Sequence, residues 1–112
     1  MSESVVILGG KRSAIGKFGG ALAGIAPTEL GSFVTKAALQ SVGVEPDHVD
    51  HSVYGNVLHS EARDVYIARV IALEAGLPTH APALTVNRLC GSGLQAIISA
   101  IQLVQLGYAK IA

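Results

Sequence analysis

Aromatic residues, cysteine and charge are all scarce in this sequence: tryptophan is absent, phenylalanine and tyrosine supply 4% of the residues, and there is a single cysteine, Cys90. One cysteine cannot form an internal disulfide, so cross-linking is excluded as a source of stability, and a reducing setting such as the cytoplasm is the simpler expectation. Charged residues make up only 14% of the chain, and eight basic residues balance eight acidic ones for a net charge of +0. They are scattered singly. No basic stripe exists to neutralise a phosphate backbone, which excludes nucleic acid as a partner. Long uninterrupted apolar runs are also missing. The best candidate, residues 91–106, is broken by three glutamines and two serines, whereas a membrane span needs about 20 predominantly apolar residues. A buried helix fits that stretch better, and no membrane association is expected. The opening MSESVVILGG has neither a basic segment ahead of an apolar stretch nor a small-residue cleavage site, so it does not read as a secretory signal.

What is present is apolar. Half of the 112 residues are hydrophobic and the mean hydropathy is +0.49, so the polar surface is small for a free monomer of this length, and the chain reads as a buried or partnered piece. VVILG at 5–9 predicts a strand buried on both faces. A glycine-rich loop follows to Pro27. Pro27 and Thr28 then open a helix to about Val42, with Leu30, Phe33, Val34, Ala37 and Ala38 as its core face. After a turn at 45–47, residues 51–58 predict a second strand, in which Gly55 marks a close backbone approach or a bulge. Asp64 caps a helix from Val65 to about Ala75. Residues 82–89 are a third extended segment, Gly91 to Leu106 a third helix stopped by Gly107, and Ala109 to Ala112 the start of a fourth strand. This alternation implies an α/β fold with a mainly parallel sheet.

The single cysteine stands where a strand hands over to a helix, in VNRLCGSGLQAI. A lone cysteine in a half-apolar chain is ordinarily a small core hydrophobe. A core filler, however, has no need of the Gly-Ser-Gly that follows Cys90. The unpaired N–H groups and positive end of the helix behind it favour an anion, and a thiolate is the nucleophilic anion of cysteine. Gly91 and Gly93 would let a substrate carbonyl approach the backbone, where N–H groups can serve as an oxyanion hole.

These residues, VNRLCGSGLQAI with RSAIGKFGG upstream and GNVL between, resemble the N-terminal part of a thiolase, the acetyl-CoA acetyltransferase and β-ketothiolase family, and the likeness runs through essentially the whole chain. The resemblance implies part of the N-terminal half of a five-layered α/β/α/β/α fold. It implies that Cys90 accepts an acyl group from acyl-CoA as a thioester, with its backbone N–H in the oxyanion hole. Asn87, Gly91, Ser92 and Gly93 would then form the supporting loop. The substrates implied are coenzyme A thioesters, in a Claisen condensation to 3-ketoacyl-CoA or the reverse thiolysis, as in fatty acid metabolism. No metal and no further cofactor is implied, and the full-length protein is implied to be a homodimer or homotetramer.

The family's activating histidine, its second cysteine and the asparagine that orients a catalytic water belong to C-terminal motifs that have no match here. His48, His51, His59 and His80 stand in no such motif and read as surface or structural residues. The chain therefore reads as a partial N-terminal domain, residues 1–112, ending within a strand, without the rest of the enzyme and inactive alone. Arg12 and Lys17 read as solvated loop cations. Arg69 keeps the neighbourhood of a family Asn-Pro-Ala-Arg run whose proline is missing. Two alternatives stand beside this reading: a ketoacyl synthase-type condensing enzyme, which shares the cysteine turn, and a non-catalytic scaffold that retains Cys90.

Overall fold

The chain rises from its first helix into a two-stranded parallel sheet flanked by helices. In this computed structural model residues 4–112 are described. The order is helix α1 (Pro27–Ser41), strand β1 (Ser52–Gly55), helix α2 (Ile67–Glu74), strand β2 (Ala83–Val86) and helix α3 (Ser92–Gln105), with short 3₁₀ segments at Pro46–His48 and Ala62–Tyr66. Ser52 pairs with Ala83 and Gly55 with Val86 in parallel. Parallel neighbours need a long crossover, and α2 supplies it.

α1 begins where the sequence places it. Ala26 is extended, as a residue ahead of proline must be, and Pro27 occupies the first turn, where its missing N–H costs nothing. Its buried face is not the predicted one. Thr28 and Ser32 are buried, whereas Phe33 is 71% exposed and Leu30 only half-buried. The reason is the closeness of α2: a Cβ on Gly31 would stand 2.4 Å from Ile71 Cδ1, and at that spacing small residues fit the seam and large ones are turned outward. Thr35 ties α1 to the sheet. Its hydroxyl donates to the Gly31 carbonyl at 2.7 Å and accepts from the Tyr54 hydroxyl at 2.6 Å, and burial pushes the Tyr54 phenol above its ordinary pKa.

Asp64 does cap, but one turn ahead of the predicted place. Its Oδ2 accepts the Ser60 N–H and hydroxyl, both at 2.7 Å, and the Glu61 N–H at 3.1 Å, and the α-helix proper starts at Ile67 after the 3₁₀ turn. The Ala68 N–H donates instead to Thr85 Oγ1 of β2 at 3.1 Å. α2 closes at Gly76, whose φ of +89° lets the Leu77 N–H reach back to the Ala72 carbonyl at 2.9 Å. Val49, Ala72, Ala75 and Leu77 form the core, with Leu39, Val44, Ala83 and Ile111 against it.

Two predicted strands do not form. Residues 5–9 are irregular and Ile7 is 72% exposed. Among the described residues the sheet consists of β1 and β2 and gives that run no hydrogen-bonded neighbour, without which an apolar run has no ladder to join. Residues 109–112 are not a strand either. The Ile111 carbonyl accepts the Asp50 N–H at 2.9 Å, but the Lys110 and Ile111 N–H groups go to the Asp50 carboxylate at 2.7 and 3.1 Å, so a side chain takes the place of the ladder. Those backbone bonds, that from Lys110 first, hold the Asp50 carboxyl below its usual range.

Candidate active site

Cys90 lies in the connection between β2 and α3, two residues ahead of the first helical residue, and its thiol is free and exposed. Within these 112 residues Cys90 fills no core. The first turn of α3 leaves backbone donors open. Among the described residues the N–H groups of Cys90, Gly93 and Leu94 donate to no protein acceptor, while Gly91, Ser92 and Gln95 donate to the carbonyls of Arg88, Leu89 and Gly91 at 2.9–3.1 Å. Free N–H groups beside an exposed thiol are the elements an oxyanion site requires.

The two glycines differ. A Cβ on Gly93 would meet nothing within 4 Å, so that position opens onto free space, whereas one on Gly91 would rest 3.4 Å from the Arg88 carbonyl. Gly91 has φ −88°, which any residue adopts. The clearance next to Cys90 thus belongs to Gly93.

The turn is held from three sides. Ser92, 5% exposed, accepts the Arg88 N–H at 2.8 Å and donates to the Leu89 carbonyl at 2.7 Å. Asn87 accepts the Leu89 N–H at 3.0 Å and donates to the Val57 carbonyl at 3.4 Å. Arg88 donates to Gln95 Oε1 at 2.8 Å along α3. Beneath them, Gly55 of β1 meets the helix start directly: a Cβ there would come within 2.8 Å of the Ser92 carbonyl carbon and oxygen. The close approach that the glycine predicts is therefore to the first residue of α3, and it seats the cysteine-bearing turn on the sheet.

Other singled-out residues stand apart. Among the described residues no hydrogen bond joins His48, His51, His59 or His80 to Cys90; His51 Nδ1 lies 3.1 Å from the Ser52 carbonyl. Arg12 turns back onto the Ser13 carbonyl. Arg69 donates to the carbonyls of Ala81 and Thr79 at 3.0 and 2.9 Å and so pins the segment leading into β2, a structural task. An open groove of about 390 Å³ lined by Glu29, Ser32, Phe33, Lys36 and Glu74 runs along α1 and α2 and includes no residue of the Cys90 turn. Among the described residues no three His, Cys, Asp or Glu side chains are placed to hold a metal ion, and no helix is long and apolar enough to cross a membrane. Sequence reasoning missed Asp64 as the organiser of the 56–64 loop, and Leu89, whose φ of +48° is the one left-handed non-glycine backbone among the described residues. Asn87, two positions ahead, is the signal that points to it, since asparagine commonly bonds the backbone N–H two residues on.

Comparison with known proteins gives the family and the fold. The thiolase N-terminal domain matches residues 5–112. The beta-ketothiolase BktB of Cupriavidus necator is 53% identical over 112 residues, which are 100% of this chain and 28% of that protein. Human mitochondrial 3-ketoacyl-CoA thiolase is 41% identical over 109 residues, 97% of this chain and 28% of its own. The crystal structure of the Bacillus anthracis acetyl-CoA acetyltransferase superimposes with a TM-score of 0.90 at 41% identity, covering 96% of this chain and 27% of that one. The human enzyme in complex with CoA superimposes with a TM-score of 0.82 at 44% identity, over 84% of this chain and 24% of that one. The chain thus spans about a quarter of the length of the relatives it matches. With a domain match across nearly all of its residues and a thiolase-like α/β arrangement around Cys90, the chain belongs to the thiolase family, as part of its N-terminal domain.

Proposed function

We propose that the full-length protein is an acyl-CoA C-acyltransferase and that Cys90 is its nucleophile. The observation that carries this reading is the exposed, uncrosslinked thiol of Cys90 at the head of α3, beside backbone N–H groups that no described residue occupies. The Cys90 thiolate attacks the carbonyl carbon of an acyl-CoA. A tetrahedral oxyanion forms, the carbon–sulfur bond to CoA breaks, and the acyl group remains on Cys90 as a thioester while CoA leaves. A second acetyl-CoA then loses an α-proton, its carbanion attacks the thioester carbonyl, and the Cys90 thiolate departs, leaving 3-ketoacyl-CoA. Thiolysis is the reverse. Cysteine suits both directions, because it is strongly nucleophilic as a thiolate and its acyl product stays open to attack. The Cys90 N–H would donate to the oxyanion, and Gly93 supplies the clearance for the carbonyl.

The base that activates Cys90 and the groups that handle the α-proton come, on this reading, from polypeptide beyond these 112 residues, so this chain alone does not turn over. CoA thioesters are the substrates and no prosthetic group takes part. The solved human relative with CoA bound supports CoA as the ligand. A homodimer or homotetramer of the full-length protein belongs to the same reading, as the family resemblance implies. A reducing compartment, the cytoplasm among them, suits a thiol that must stay free. The test is 3-ketoacyl-CoA thiolysis by the full-length protein with and without Cys90→Ser. CoA-dependent cleavage that vanishes in the variant supports the reading, whereas a full-length protein without cleavage in either form supports a retained, non-catalytic scaffold.

A further inference from the structure

The turn that carries Cys90 contains a backbone conformation that its own residue disfavours. Leu89 has φ +48°, a region in which the Cβ of an L-residue crowds the following carbonyl and which glycine or asparagine adopts more readily. Leu89 directly precedes Cys90, so whatever keeps it left-handed sets the direction in which the cysteine leaves the backbone. Two groups hold it. The Ser92 hydroxyl and N–H donate to the Leu89 carbonyl at 2.7 and 3.1 Å, which fastens that end to α3. On the other side the Leu89 N–H donates to Asn87 Oδ1 at 3.0 Å.

Asn87 has its own anchorage. Its Nδ2 donates to the Val57 carbonyl at 3.4 Å, in the loop that buried Asp64 closes through Ser60 and Glu61. The Asn56 N–H holds the same loop to the Val86 carbonyl at 3.0 Å. Only a side chain that offers an acceptor and a donor together can join that loop to the Leu89 N–H. Alanine at 87 loses both bonds, and aspartate keeps the acceptor for Leu89 while losing the donor to Val57.

We propose that Asn87 is a positioning residue for the thiol, holding Leu89 left-handed against the 56–64 loop and so aiming Cys90. The proposal rests on the reading of Cys90 as the nucleophile. Its test is the rate at which iodoacetamide alkylates Cys90 in the full-length protein at one pH. Asn87→Ala slows alkylation roughly fivefold, the worth of one ordinary hydrogen bond. A glycine needs no tether to stay left-handed, so Asn87→Ala combined with Leu89→Gly recovers to within about twofold of the unaltered protein. A merely structural asparagine would not be rescued in this way. An Asn87→Ala protein as reactive as the parent, or a double variant no faster than Asn87→Ala, overturns the proposal. Hydrogen exchange at the Leu89 amide of the unaltered protein serves if the alanine variant does not fold: protection is expected, and exchange at open-loop rate overturns the proposal. Neither readout uses acyl-CoA. If the full-length enzyme shows no thiolysis while alkylation still depends on Asn87, the functional reading falls and the positioning role stands.

Discussion

Helices α2 and α3 are both strongly apolar, and they differ in what covers them. α2 buries Ile67, Ala68, Ile71 and Ala72, with α1 on one side and the sheet on the other. α3 packs its small face on β1 and buries only Ser92 and Ala96, while Leu94 remains 65% exposed and Ile97 and Ile98 are open as well. Apolarity states how much cover a helix needs, not where the cover comes from. The elements packed on α2, namely α1, the 62–66 turn and the two strands, lie within residues 27–86, so most of its requirement is met locally. α3 has one covered side and one bare side within these 112 residues, about a quarter of the length of the relatives. The turn that carries Cys90 therefore sits between a helix covered on both sides and one covered on a single side.

Replacing Cys90 is expected to give the largest effect. In the full-length protein Cys90→Ser is expected to abolish thiolysis while changing the melting temperature little, since one small side chain replaces another of nearly the same shape; activity assays and calorimetry measure the two. The comparison of helices is broken or kept by a pair of truncations in the 112-residue chain. Ile71→Ala, at the seam of α1 and α2, should cost about 2–5 kcal/mol, and Ile97→Ala, half bare, under about 1 kcal/mol. Chemical denaturation giving equal losses would show that α3 is as well covered as α2.

Gly55→Ala tests the link between the two regions. The added methyl meets the Ser92 backbone at 2.8 Å, which cannot swing aside as a side-chain tip can, so we expect a loss of about 1–3 kcal/mol and slower alkylation of Cys90. Gly31→Ala meets chiefly the end of Ile71 and should cost less, with no change at the thiol.

The smallest effect is one of pH. The Ser60 hydroxyl, ahead of the Ser60 and Glu61 N–H groups, holds the Asp64 carboxyl below its usual range, and Asp50 is lowered by the Lys110 and Ile111 N–H groups. A carboxyl lowered on folding adds stability that is fully present above the unfolded value of about 3.9 and is lost as pH falls through the folded value. Melting temperatures should therefore fall steadily on acidification below about pH 4, and Asp64→Asn should lessen that slope from a lower starting point.

The elements around the site could be read from particular residues. Pro27 gives the start of α1, Gly55 the close approach under α3, and VNRLCGSG the cysteine turn. The buried face of α1 could not, because hydrophobic periodicity registers Leu30 and Phe33 but not the small Thr28 and Ser32, which are inside only because Gly31 lets α2 come near. The apolar run at 5–9 states a preference for a sheet but cannot state which strand it would pair with. Leucine gives no hint of a left-handed backbone at position 89, and the cue is borne by Asn87 instead.

The central claim is that Cys90 takes the acyl group, and acyl-enzyme trapping tests it most directly. The full-length protein is mixed with acetyl-CoA, quenched in acid, digested and mapped by mass spectrometry. One acetyl group is expected on the peptide bearing Cys90, lost on treatment with CoA. An unmodified Cys90 peptide, or acetyl carried by another residue, would contradict it.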